Sequence, residues 1–129
     1  MKKQSNKPTK DQIQEFDKYV GHWQSVLNLG DWRIERSIRA EKDAMASVTC
    51  DSMARLATYK VGDFGSAEIT PESLSATALH ECLHVFLYDL ISAATDRATP
   101  PERVDIEEHR IINVLERLLE QQYATKSNN

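Results

Sequence analysis

The sequence predicts an α+β fold: an N-terminal helix, a mainly antiparallel sheet of three or four strands, then two further helices. Two changes of hydrophobic period carry that expectation. Apolar residues recur at helical spacing early in the chain and again in its second half, while short alternating runs lie between. Turn-forming residues punctuate the changes at Gly30-Asp31, Asp51-Ser52, Gly62-Asp63 and Pro100-Pro101. A chain of 129 residues suits one domain with a modest core, expected over residues 11–123, and no internal repeat is present.

Met1 to Lys10 (MKKQSNKPTK) is basic and has no large apolar residue beyond the initiator, so a mobile arm is expected there. Residues 11 to about 28 read as the first helix, with Ile13, Phe16, Tyr19, Val20, Trp23, Val26 and Leu27 on one stripe. Asp11 is its expected cap, and Gly30 follows its end. His22 lies beside the stripe and reads as a packed or surface residue.

From Asp31 the period becomes two. Trp32, Ile34, Ile38 and Ala40 alternate with polar residues, giving a first strand. Residues 44–50 (AMASVTC) give a second and 55–61 (RLATYKV) a third, and 66–69 (SAEI) is a possible short fourth. A sheet edge of this kind can align an extended peptide through backbone hydrogen bonds.

The third segment carries the chemistry. Thr70 suits a helix N-cap, Pro71 the first helical position and Glu72 the positive helix end. Leu74, Ala78, Leu79, Leu83, Phe86, Leu87 and Leu90 continue at helical spacing. Within this helix stands His80-Glu81-Cys82-Leu83-His84. Histidines four apart project from one helix face and can share a metal ion, Zn²⁺ being the ion this pattern suits. Glu81, next to that face, is placed to act as a general base toward water. Cys82 falls on the other side, as a small packing residue.

Pro100-Pro101 ends this path and opens the last helix, from Glu102 to about Tyr123, with a polar tail over 124–129. Catalytic zinc usually takes three protein ligands. Glu107, Glu108 and His109 are the candidates for the third. Glu108 is preferred because it shares a face with Ile111, Ile112, Leu115 and Leu119. Glu107, one position around, is the alternative, and His109 points toward polar Asn113 and Glu116. Tyr88, Tyr59 and Tyr123 are potential donors to an oxyanion, and Asp89 a potential support for a ligand histidine.

HECLH followed by EEHRIINVLERLL, and preceded by LNLGDWRIERSI, resembles the small zinc metallopeptidase-like proteins of bacteriophages and prophages. These are minimal gluzincins, defined by HExxH plus a glutamate on a later helix, and the resemblance spans roughly residues 16–121. It implies zinc at His80, His84 and a glutamate, with Glu81 as catalytic base and two helices sandwiching the metal. Ile112 stands where that family often carries Asp or Asn four residues after the glutamate. The extensions that mark metzincins, and the zinc-ribbon cysteines of SprT-like proteases, are absent from the sequence.

The expected function is therefore a zinc-dependent metallopeptidase acting on a peptide or protein substrate. The alternative is a non-catalytic, zinc-stabilised binding or regulatory protein on the same fold. A formal charge of −4 gives no electrostatic case for nucleic acid or an anionic membrane. No apolar stretch is long enough to span a bilayer, no signal peptide pattern opens the chain, and two cysteines are too few for a disulfide framework. The expected compartment is the cytoplasm, that of a bacterial host if the chain is phage-encoded. Oligomeric state is not legible.

Overall fold

The computed structural model describes residues 4–127. Its elements are α1 (Lys10–Val26), β1 (Arg33–Arg36), β2 (Ala46–Asp51), β3 (Leu56–Val61), α2 (Pro71–Thr95) and α3 (Pro101–Ser127), an α+β architecture. Where the sequence pattern leads to one domain, the contacts fall into two compact units, Met1–Val85 and Phe86–Asn129, with the boundary inside α2.

In the first unit α1 begins two residues earlier than Asp11 would place it. Thr9 Oγ1 accepts from the Gln12 amide, and the Gln12 side chain accepts from the Thr9 amide, a reciprocal capping box that satisfies two helix-end donors. Asp11 falls in the first turn, where it complements the helix dipole. At the other end Asn28, at φ 58°, takes the left-handed position that ends the helix, a role Gly30 does not play.

The sheet is mixed, with strand order β1-β3-β2, and this corrects the expectation of a mainly antiparallel meander. β2 and β3 form an antiparallel hairpin whose turn is held by the Asp51 carboxylate accepting from the Met53 and Ala54 amides. β1 instead pairs parallel with the other side of β3. The reason lies in residues 37–45, which wrap around the end of β3: the amides of Ser37 and Glu41 donate to Tyr59 and Val61, and the Gly62 amide donates to Met45. Gly62 permits that crossing. A Cβ there would collide with the Ala44 carbonyl and lie 2.8 Å from that of Glu41.

Residues 66–69 are not a strand. The Asp63 carboxylate accepts from the Gly65 and Asn6 amides and the Ser5 hydroxyl, and Gly65 adopts φ 60°, so this stretch curls into turns. Those bonds hold the carboxyl at about 2. They also anchor residues 5 and 6 where a mobile arm is expected, with the Asn6 side chain donating to Ala67 and the Phe64 amide to Asn6. Met1 to Lys3 lie outside the described residues.

Phe16, Val20, Trp32, Ala57, Tyr59, Val61, Leu74, Ala78, Cys82 and Val85 are buried in this unit. Phe16 and Tyr59 meet with ring centroids 5.7 Å apart. Thr70 and Ser73 exchange side-chain-to-amide bonds at the start of α2, satisfying helix-end donors.

In the second unit α3 continues to Ser127, past its expected end, with Asn128 and Asn129 outside the described residues. Its enclosed strip is Val104, Glu107, Ile111, Val114 and Leu118. Of the strip expected with Glu108, Ile111 belongs to this enclosed set, while Glu108, Ile112, Leu115 and Leu119 stand one position around and are exposed. Among the described residues no helix is long and apolar enough to cross a membrane.

Candidate metal centre

α2 presents the HExxH residues as helical spacing requires. The His80 and His84 rings project from one exposed face, their centroids 4.9 Å apart and their planes crossed at 80°. Among the described residues no hydrogen bond engages either ring. Two adjacent, uncommitted imidazoles fit a metal that prefers nitrogen donors. No group of three or more His, Cys, Asp or Glu side chains that could hold a metal is formed among the described residues.

Glu81 is different. It is only 6% exposed, at the edge of the core rather than beside the rings in water. Burial pushes its carboxyl above the ordinary range, partly countered by His84 and His80 and reinforced by Glu41. No buried side-chain oxygen among the described residues lacks a hydrogen bond, so the Glu81 carboxylate must open onto the space it lines. That space is a cleft of about 370 Å³ bounded by Ala44, Met45 and Ala46 on one side and by Ala76, Thr77, His80 and Glu81 of α2 on the other.

The wall opposite α2 is where the open sheet edge begins. The Gly62–Met45 hydrogen bond and the β2–β3 register make Ser47 and Thr49 the residues bonded to β3. The N–H and C=O groups of Ala46 and Val48 therefore point away from the sheet. Glu41 secures this wall, its carboxylate accepting from the Ser47 hydroxyl and the Asp43 amide. Sequence reasoning gave residues 41–43 no role and read 44–46 only as the start of a strand. Their role comes from the crossing over Gly62, which no local pattern announces.

The remaining candidates have other engagements. Cys82 is buried with Sγ 3.7 Å from the Val20 carbonyl, and burial pushes its thiol up to about 12, as befits a packing residue. Tyr59 donates to Asp17 at 2.6 Å and is buried, so its hydroxyl serves the core rather than an oxyanion. His22 is exposed against Trp23. In the second unit Glu107 is 4% exposed, with Arg103 and Arg110 at 3.4 and 3.5 Å, whereas Glu108 is exposed. His109 holds the Asp105 carbonyl at 2.8 Å through Nδ1. Asp89 pairs with Arg110 at 3.8 Å. The Tyr123 side chain lies outside the described residues.

Comparison with protein-family models, with curated proteins and with solved structures finds no match to this chain.

Proposed function

We propose that the protein is a zinc-dependent peptidase of the minimal gluzincin kind, working in the cytoplasm on a peptide or protein substrate. The observation that carries this reading is Glu81: a carboxylate kept at the rim of the core, between two exposed histidines, and opening onto a cleft. A merely structural pair of histidines has no use for a buried acid at that place.

His80 and His84 would hold the metal, and zinc held there would supply Lewis-acid polarisation of a carbonyl and a more acidic water. Glu81 accepts a proton from the attacking water and delivers it to the leaving amine, the service of a general base that then acts as a general acid. The outward backbone groups of Ala46 and Val48 give an extended peptide hydrogen-bonding partners along β2. Glu108 remains the third ligand that the sequence assigns, with Glu107 the alternative. Of the two acids, Glu107 is already engaged by arginines.

Elemental mass spectrometry of the purified protein, with Glu107→Ala and Glu108→Ala beside it, tests the metal. One zinc per chain, lost in Glu108→Ala alone, is the expected result. No zinc in the wild type after incubation with the metal sinks the reading. Metal-dependent cleavage of a mixed peptide library, abolished in Glu81→Gln, tests the chemistry.

A further inference from the structure

The cleft has a character that the HExxH residues do not explain. Beside His80 and Glu81 its walls are Ala44, Met45 and Ala46 from the β2 edge and Ala76 and Thr77 from α2. Three of those five side chains are single methyl groups facing each other across the space. Any larger residue at these places would fill it. Its volume of about 370 Å³ lies within the 300–1,000 Å³ range of small-molecule pockets, ample for one large side chain. Among the described residues no lysine or arginine lines it, so an acidic side chain entering it would meet Glu81 and none of those cations.

The backbone groups of Ala46 point along the same edge, so a peptide paired with β2 has its side chains delivered alternately toward and away from this hollow. We infer that the hollow is a side-chain subsite selecting a large apolar residue of a bound peptide, and that Ala46 and Ala76 set its size. This rests on the peptidase reading of His80, Glu81 and His84 and names the substrate class that reading leaves open. Met45, 40% exposed and unbranched, covers the rim and adapts to aromatic or aliphatic occupants alike.

Ala76 is the better handle for the test. It is exposed on a helix, so Ala76→Leu leaves the fold intact, whereas Ala46 is buried at the sheet edge and Ala46→Leu overpacks it. The probes are N-acetyl-phenylalaninamide and the amide of N-acetyl-glutamate, titrated into isotope-labelled protein without metal and followed by amide chemical shifts. The expected result is saturable shifts at residues 44–46, 76 and 77 for the phenylalanine probe. Binding should weaken by about tenfold or more for the glutamate probe and for Ala76→Leu. Shifts scattered elsewhere, equal binding of both probes, or an unaffected Ala76→Leu variant overturn the inference.

Cleavage of peptides carrying Phe or Gly beside the scissile bond is the second readout. Ala76→Leu should lower kcat/KM for the Phe peptide by about tenfold and leave the Gly peptide within about twofold. A wild type that cleaves but shows no such preference overturns the subsite and leaves the peptidase. A wild type that takes no zinc and cleaves nothing, yet binds the phenylalanine probe in a manner Ala76→Leu blocks, removes the peptidase and sustains the subsite.

Discussion

The His80 and His84 rings stand edge to face at 4.9 Å, one helical turn apart on the exposed side of α2. That relationship makes the metal reading testable one ring at a time. His80→Ala and His84→Ala should each weaken zinc binding by more than about 100-fold, beyond the 10–100-fold that loss of a supporting contact costs. Competition titration against a chelator measures it.

Glu81→Gln separates metal binding from turnover. Zinc content should be unchanged while kcat falls by about a thousandfold, within the range that loss of a positioned acid–base group produces. Without metal the same variant should be more stable at neutral pH by about 1 kcal/mol, since burial disfavours the charged carboxylate it removes. The sign follows from the raised folded-state value: ionisation of Glu81 costs stability above that value, and the cost fades as pH falls through it toward the unfolded value. The gap between variant and wild type in urea midpoints should therefore narrow on acidification.

Glu107 and Glu108 differ in surroundings. Glu107→Ala takes the carboxylate from Arg103 and Arg110 and from an enclosed strip, and should cost about 1–2 kcal/mol in denaturant unfolding. Glu108→Ala, exposed, should stay within about 0.5 kcal/mol. Equal losses would show that the Glu107 pairing contributes nothing to the second unit.

Gly62 carries the crossing that sets the cleft wall. Gly62→Ala places a methyl group against the Ala44 and Glu41 carbonyls and should destabilise the protein by about 2 kcal/mol or more. Unfolding midpoints check the cost, and amide shifts at residues 41–46 report displacement of the wall.

Asp63 anchors the start of the chain. Its depressed folded-state value means that the anchoring is present above the unfolded carboxylate value and is lost as pH falls toward about 2. Asp63→Ala should speed hydrogen exchange at the Asn6 and Gly65 amides, which donate to it, while exchange in α1 is unchanged.

The sequence by itself determined the helices, the centres of three strands and the HExxH face, but residues 37–40 and 66–69, read as strand, lie outside the sheet. Periods of 3.6 and 2, caps and prolines are local signals, and His80 and His84 need only a helix to meet. Cys82 was legible as packing for the same reason, since its position around the helix follows from its number. Boundaries moved where two local signals competed: Thr9 displaced Asp11 as the cap because Gln12 stands three residues later to complete the box. What only tertiary structure decided depends on residues far apart in the chain. The parallel pairing of β1 follows from residues 37–45 wrapping β3, which becomes possible only when Gly62 and Ala44 meet. The enclosed strip of α3 lies one position from the expected one, because adjacent apolar stripes on a helix look alike until neighbours cover one of them. The burial of Glu81 and the alanine-lined cleft belong to the same class. A carboxylate's surroundings come from what folds against it, and no spacing within HECLH contains that information.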